Sequence, residues 1–150
     1  MKIYTLKPYT QADYQFVYEV KKICYQKYVE ENFGKWDDDE QYEMFDAFLK
    51  TSAKDIFIIF VDDKKAGFIN GDDLDENTYV QGNICLLPEF QNMGIGTSLL
   101  SQICEDHINQ NISLKVFKQN PAKRLYERLG FMVTGETKSH FLMKKVQKDD

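Results

Sequence analysis

The chain has 150 residues, of which 43% are hydrophobic and 29% are charged, and its formal net charge is −5. These values are ordinary for a globular protein of one domain, which we expect to span residues 1–150. An acidic chain lacks the basic surface that nucleic acids require, and none of its apolar runs approaches the length of a membrane span. We therefore expect neither nucleic acid nor a membrane among its partners.

The first six residues lack the long apolar core of a signal peptide. The three cysteines, Cys24, Cys85 and Cys104, are an odd number without the spacing of a metal site. The sequence thus predicts reduced thiols in a cytoplasmic protein that binds no metal.

The first half of the chain alternates between helical and β-like patterns. Apolar residues at three- and four-residue intervals indicate the first helix, with Thr10 as its N-cap, and Gly34 suits the turn that follows it. Acidic residues at the start of the second helix favour the positive end of its dipole. The predicted elements of this half are a strand at 3–6, helices at 10–29 and 38–50, and strands at 55–61 and 66–70.

The second half begins with a predicted acidic loop at 72–77. Pro121 at the start and Gly130 after the end delimit its last helix. The predicted elements are strands at 78–87, 113–117, 131–134 and 140–145 and helices at 97–109 and 121–129. The order βααβββαβαββ predicts an α/β fold with about four helices around a mixed, mostly antiparallel central sheet. The two strands that flank the helix at 97–109 should be parallel.

The most informative motif is the loop at 91–97, which contains Gly94 and Gly96 and connects a strand to a helix. Backbone N–H groups at the start of a helix, together with its dipole, form a site for phosphate or pyrophosphate. A Rossmann fingerprint would need a glycine where Leu99 stands, and the Gly-Lys-Ser/Thr of a P-loop is absent, which disfavours a nucleotide- or NAD-binding domain. From these residues alone, another phosphate-bearing cofactor and a plain turn both stay open.

Two signatures together resemble the GNAT (Gcn5-related) N-acetyltransferase family. The family's loop pattern, Gln/Arg-x-x-Gly-x-Gly/Ala, is matched at every fixed position by Gln91-Asn92-Met93-Gly94-Ile95-Gly96, after a strand and Pro88. The family's second signature is an Asn followed by a helix that ends in Leu-Tyr-x-x-x-Gly-Phe, and Asn120 to Phe131 matches it. The two signatures lie in the family's order within residues 80–135, and the order of elements extends the resemblance over nearly the whole chain.

This resemblance implies a GNAT-like acyl-CoA N-acyltransferase fold and an enzyme that transfers an acetyl group from acetyl-CoA to a primary amine by direct attack in a ternary complex. It also implies that the loop binds the pyrophosphate of coenzyme A, with Gly94 and Gly96 allowing close approach and unusual backbone dihedrals. Leu86 and Leu87 would pair with the pantetheine arm. The cofactor-binding residues so implied are Leu86, Leu87, Gln91, Asn92, Met93, Gly94, Ile95, Gly96, Thr97, Asn120, Ala122 and Tyr126.

The resemblance assigns the role of general acid to Tyr126, because a phenol with a pKa of about 10 can donate a proton to the departing thiolate. A backbone N–H near Leu86 or Leu87 would polarise the thioester carbonyl. Asn83 and Gln81 occupy strand positions where some relatives have a carboxylate, so the general base is unassigned. The carboxylates considered for that role are Glu30, Asp37, Glu40 and Glu43.

Several alternatives stay open at this stage. Cys85 could accept an acyl group, although a small buried thiol is the preferred interpretation, and His107 could simply complement a helix dipole. A module that binds acyl-CoA without catalysis is the alternative function. Acidic segments at 37–40 and 72–76 hint at a cationic acceptor such as a polyamine, an aminoglycoside or a lysine side chain. Families that resemble this chain often form homodimers, so a homodimer is a further expectation.

Overall fold

The computed structural model describes residues 3–148, and the order of its elements is the expected βααβββαβαββ. The α-helices of this range are α1 (Tyr14–Phe33), α2 (Asp38–Ser52), α3 (Ile95–Asp106) and α4 (Ala122–Arg128). The strands are β1 (Thr5–Pro8), β2 (Ile56–Val61), β3 (Lys64–Asp75), β4 (Thr78–Leu86), β5 (Asn111–Phe117), β6 (Met132–Glu136) and β7 (His140–Lys145). The expected mixed, mostly antiparallel architecture is confirmed, since one of the recorded strand pairs is parallel and four are antiparallel.

The contacts within the chain divide it into two compact units. The first unit takes in residues up to 70 together with 83–95, and the second takes in 71–82 and the residues from 96 onward. The strands β3 and β4 pass through both units, and the strand order is β1-β2-β3-β4-β5-β7-β6. The prediction from the sequence that residues 1–150 form a single domain stays a prediction.

The first unit is built around an apolar core between two helices and a β-hairpin. The strand β2 pairs antiparallel with β1 on one side and with β3 on the other. Its side chains Ile56 and Ile58 are buried together with residues of α1, α2 and neighbouring strands. The remaining buried members of this core are Val17, Tyr18, Val20, Trp36, Phe45, Phe68 and Cys85.

The helices of the first unit have clear local boundaries. Thr10 begins a short 3-10 turn, where its N–H donates to the Asp13 carboxylate over 2.9 Å, so α1 starts later than expected, at Tyr14. Gly34 follows the last residue of α1 with φ of 100°, a left-handed conformation that glycine adopts without strain. Asp37 caps α2, because its carboxylate accepts a hydrogen bond from the Glu40 N–H over 3.3 Å.

The second unit contains the parallel strand pair that the sequence predicts. The strand β4 pairs with β5 in parallel over Thr78–Val80, opposite residues 111–113. On its other side β5 pairs antiparallel with β7, which in turn pairs with β6. One face of β5 is buried through its alternating apolar residues Ile112, Leu114 and Val116.

Two further boundary predictions, both in the second half of the chain, were wrong. The acidic segment 72–77 is not a loop, because β3 continues to Asp75 and leaves only a turn at 76–77. The Asp73 carboxylate accepts a hydrogen bond from the Gln110 side chain over 2.8 Å, a contact distant in sequence that local propensity does not reveal. The helix α3 begins at Ile95 rather than at 97, so Gly96 lies in its first turn. None of the helices in residues 3–148 combines the length and apolarity that crossing a bilayer demands.

Candidate active site

The end of β4 is fixed by hydrogen bonds to its backbone. The Leu87 N–H donates to the carbonyl of Ala66 on β3 over 2.8 Å. The Leu86 carbonyl accepts a hydrogen bond from the side-chain amide of Gln91 over 2.9 Å and a weaker one from the Cys24 thiol over 3.4 Å. Leu86 and Gln91, both predicted to bind the cofactor, are thus brought together. The Leu87 N–H is already engaged by β3 and has no hydrogen left to offer a ligand.

The loop after β4 exposes its backbone. A short 3-10 turn, Pro88–Phe90, follows the strand, and the Gln91 N–H donates to the Pro88 carbonyl over 3.1 Å. Asn92 and Gly94 then adopt φ values of 61° and 82°, which are left-handed. Residues 91–94 are exposed, and a Cβ placed on Gly94 would meet no atom within 4 Å from the described residues other than its chain neighbours. The unusual dihedral expected at Gly94 is therefore confirmed.

Gly96 differs from Gly94 in its conformation. It belongs to the first turn of α3 and is absent from the glycines with positive φ, so the unusual dihedral expected there was wrong. A Cβ on Gly96 would lie 3.6 Å from Leu125 Cδ2, an ordinary van der Waals distance. The flanking Ile95 is buried and Thr97 is exposed. First-turn N–H groups of a helix have no acceptor within the helix, so this turn can offer donors to an anion.

The second signature places its residues around α4. The Asn120 side-chain oxygen accepts a hydrogen bond from the Ala122 N–H over 2.9 Å and so orders the start of the helix. The predicted pair is therefore brought together, although this contact already engages the Ala122 N–H. Tyr126 is half-buried, and its ring meets the edge of Phe131 at a centroid distance of 5.8 Å. The Phe131 N–H donates to the Tyr126 carbonyl over 3.0 Å, which closes the helix end at Gly130.

The four carboxylates considered for the general base fall into two groups. Glu30 accepts a hydrogen bond from the Trp36 N–H over 3.0 Å, and Asp37 caps α2, so both order the connection between the two helices. Glu40 and Glu43 are exposed on α2. Among residues 3–148, no recorded hydrogen bond or ion pair involves the carboxylate of either glutamate.

Asp38 is a residue whose role the sequence analysis missed. Its carboxylate accepts hydrogen bonds from the Tyr18 hydroxyl over 2.6 Å, from the Trp36 indole over 3.0 Å and from Lys22 over 3.0 Å. The hydrogen bond from Tyr18, followed by those from Lys22 and Trp36, lowers the pKa of Asp38 to about 2. The sequence indicates only that Asp38 is an acidic residue in the first turn of a helix. The same is true of Asp39, so the sequence does not show which of the two contacts Tyr18 and Trp36.

The strand residue Asn83 on β4 pairs with a second neutral amide side chain, that of Asn70 on β3. The Asn70 side-chain oxygen accepts hydrogen bonds from the Asn83 N–H over 3.0 Å and from the Asn83 amide over 2.9 Å. Gln81, in the second unit, is buried, and its side chain donates weakly to the Gly82 carbonyl over 3.5 Å. Neither side chain can act as a carboxylate base.

Cys85 and the two histidines of the chain make contacts typical of residues that support the fold. Cys85 is 1% exposed and belongs to the apolar core, as preferred from the sequence. His107 lies after α3 rather than on an exposed helix end, and its ring stacks on Tyr79 at a centroid distance of 3.8 Å. His140 contacts the Ser139 hydroxyl over 2.7 Å, and burial lowers its pKa. Among residues 3–148, no cluster of three His, Cys, Asp or Glu side chains is arranged to hold a metal ion.

The fold is similar to several solved acetyltransferase structures. The PaiA N-acetyltransferase of Thermoplasma acidophilum, in complex with coenzyme A, is 19% identical with a TM-score of 0.70, over 95% of this chain and 98% of that one. The histone acetyltransferase HPA2 and related acetyltransferase of Corynebacterium glutamicum is 17% identical with a TM-score of 0.76, over 100% and 99% of the two chains.

A third similar structure is the spermidine N-acetyltransferase of Vibrio cholerae in complex with CoA and spermine. It is 19% identical with a TM-score of 0.71, over 97% of this chain and 96% of that one. At these identities the similarities show the fold. A comparison with curated proteins gave no significant match. The model of the acetyltransferase (GNAT) family matches residues 21–131, and the chain therefore belongs to this family.

Proposed function

We propose that this protein is an acetyl-CoA-dependent N-acetyltransferase that acetylates a primary amine by direct attack in a ternary complex. The observation that carries the proposal is the loop 91–94, where Asn92 and Gly94 have positive φ immediately before the first turn of α3. By family resemblance, this loop binds the pyrophosphate of coenzyme A through backbone N–H groups. The backbone at Gly94 is open to solvent on the side where a Cβ would stand, so no side chain of the described residues blocks an anion from approaching it.

Acetyl-CoA supplies the activated acetyl thioester in this reaction. The end of β4 would hold the pantetheine arm through the backbone of Leu86, because the Leu87 N–H is engaged by Ala66. Neighbouring N–H groups of a strand point to opposite edges, so the Leu86 N–H is directed away from β3. We therefore propose Leu86 rather than Leu87 as the backbone donor that polarises the thioester carbonyl.

Tyr126 is the proposed general acid, which gives its phenolic proton to the departing thiolate. The incoming amine must be uncharged before it attacks, and we leave the base that deprotonates it unassigned. Glu40 and Glu43 are the first candidates for that role, since Glu30 and Asp37 already bond to backbone N–H groups.

Calorimetric titration with acetyl-CoA, with NAD and ATP as controls, tests the cofactor. Micromolar binding of acetyl-CoA alone supports the proposal, and the lack of binding by folded protein contradicts it. Release of free CoA across a panel of amines then tests catalysis. The substitution Tyr126→Phe should lower turnover far more than acetyl-CoA affinity. Tyr9→Phe, which removes a buried hydroxyl that has no hydrogen-bond partner among residues 3–148, is the control and should leave turnover unchanged.

The alternative function is binding of acyl-CoA without catalysis. The observation that favours it is the neutral side chain of Asn83, paired with Asn70, because the family resemblance places Asn83 and Gln81 at strand positions where some relatives have a carboxylate. Under this alternative, acetyl-CoA binds and no amine in the panel causes release of CoA. Under the main proposal, at least one amine gives CoA release that requires Tyr126.

The proposed acceptor class is a primary amine, and cationic amines should be tested first. Asp37, Asp39 and Glu40 are exposed at the N-terminus of α2, and Asp72 is exposed on β3. These negative charges favour a positively charged acceptor. The Vibrio cholerae relative, described with spermine, supports the same order of testing. The homodimer also stays a proposal, which sedimentation analysis of the purified protein would test.

A further inference from the structure

Two cysteine side chains meet inside the first unit, although they are far apart in sequence. Cys24 lies on α1 and Cys85 near the end of β4. Cys85 is a buried member of the apolar core, and Cys24 is a half-buried residue packed against that core. Both thiols are free. Cys24 is thus partly accessible from solvent, whereas Cys85 is not.

Contacts inside the first unit bring the two cysteines side by side. The Cys24 thiol donates to the carbonyl of Leu86 over 3.4 Å, and the two thiols are close enough for each to shift the pKa of the other. Leu86 directly follows Cys85 in the chain, so the Cys24 sulfur lies against the backbone that carries its partner. A disulfide between them requires the two sulfurs to approach to about 2.05 Å, and the contact with Leu86 places the Cys24 sulfur beside the strand from which Cys85 projects.

The two thiols differ in their chemistry. The interaction with Cys85 lowers the pKa of Cys24, whereas burial raises the pKa of Cys85. The charge of Lys21 acts on Cys85 and offsets only part of the effect of burial there. Cys24 is also the more accessible of the two residues. Since the thiolate is the nucleophile, Cys24 is the thiol that reacts first and Cys85 is the thiol held beside it.

We propose that Cys24 and Cys85 form a redox pair that hydrogen peroxide converts into an intramolecular disulfide. The Cys24 thiolate attacks one oxygen of the peroxide, the O–O bond breaks, and Cys24 becomes a sulfenic acid while hydroxide leaves and is protonated to water. The Cys85 thiol then attacks the Cys24 sulfur, the S–O bond breaks, and a second water leaves. Two thiols lose two electrons and two protons in total, and the peroxide is reduced to two waters.

This proposal does not depend on acetyl transfer, so it stands or fails separately from the proposed function. Its test is intact mass measurement of the folded full-length protein, treated with hydrogen peroxide and then alkylated under denaturing conditions. The expected product has lost two hydrogen atoms and accepts one alkyl group, at Cys104. Digestion with a protease that separates Cys85 from Cys104 should give a cross-linked peptide pair containing Cys24 and Cys85.

Three variants make the test decisive. Cys104→Ser is the matched control and should still form the disulfide, with no thiol left to alkylate. Cys85→Ser should stop at a sulfenic acid on Cys24 that dimedone traps, and Cys24→Ser should form no disulfide. Circular dichroism before oxidation confirms that each variant is folded. A chain that keeps three alkylatable thiols, or whose disulfide contains Cys104 or joins two molecules, overturns the proposal.

Discussion

The side-chain amide of Gln91 donates a hydrogen bond to the carbonyl of Leu86 over 2.9 Å, which ties the start of the glycine loop to the last residue of β4. The bond joins two residues that the family resemblance assigns to the same cofactor. It also explains in physical terms why a residue with a side-chain donor stands at the first position of the loop signature. A donor there sets the direction in which the loop leaves the strand.

Substitution Gln91→Ala removes this donor and leaves the backbone unchanged. A single hydrogen bond contributes about 1 kcal/mol, so we expect the affinity for acetyl-CoA to fall roughly 5-fold. Calorimetric titration measures the change. Gln102→Ala is the matched control, because the Gln102 side chain donates to the exposed Asp106 on α3, outside the loop, and its loss should leave affinity unchanged. Equal affinities for Gln91→Ala and the control would show that the Leu86 contact does not order the loop.

The two glycines of the loop should respond differently to alanine. Gly94 has φ of 82°, where an L-residue costs about 1–2 kcal/mol, so Gly94→Ala should lower the melting temperature by roughly 2–8 °C. Gly96→Ala should keep or raise the melting temperature, because Gly96 is helical and alanine is favoured there. Both variants should bind acetyl-CoA more weakly. Scanning calorimetry measures the melting temperature, and calorimetric titration measures the affinity for acetyl-CoA. A Gly94→Ala variant that melts at the wild-type temperature would contradict the assignment of backbone strain at Gly94.

Asp38 should make stability depend on pH. Its pKa is lowered to about 2 when folded, against an ordinary value of about 3.9, so its contribution is present above that ordinary value. The contribution is lost as the pH falls through about 2 to 4, because the unfolded chain takes up the proton first. Asp38→Asn should therefore be less stable than wild type near neutral pH, and the difference should shrink in acid.

Urea unfolding followed by fluorescence measures this effect, since Trp36 is the single tryptophan and its indole bonds to Asp38. Asp39→Asn is the control, because Asp39 is exposed in the same first turn of α2. A stability difference between Asp38→Asn and wild type that stays constant from neutral pH to about pH 2 would rule out this linkage.

Local signals in the sequence were enough to predict the order of elements and the glycine loop. Gly34, Pro121 and Gly130 act on their own neighbours, so their effects can be predicted without knowing the fold. The length of β3 was not predictable, since its acidic end is held by Gln110, far along the chain. The same is true of the contact between Cys24 and Leu86. Sequence patterns report helix faces and turns, but not which distant side chains will meet.

The C-terminal segment should stabilise the end of α3. The Gln147 side-chain amide donates to the carbonyls of Cys104, His107 and Gln110 over 3.1, 3.0 and 3.3 Å. Cys104 lies in the last turn of α3, whose carbonyls have no partner within the helix, and His107 and Gln110 follow the helix, so this amide ties the helix end to the residues after it. The Gln147 amide has two hydrogens and three acceptors, so at least one hydrogen is shared between two carbonyls.

Gln147→Ala should therefore lower the free energy of unfolding by about 1–3 kcal/mol, since buried carbonyls lose their donor. For a chain of this size, that loss corresponds to a melting temperature lower by roughly 2–12 °C. Val146→Ala, at the neighbouring and largely exposed position, is the matched control and should change the melting temperature little. Hydrogen exchange should also quicken in the last turn of α3 for Gln147→Ala alone. If both variants melt at the wild-type temperature, the segment does not stabilise this helix.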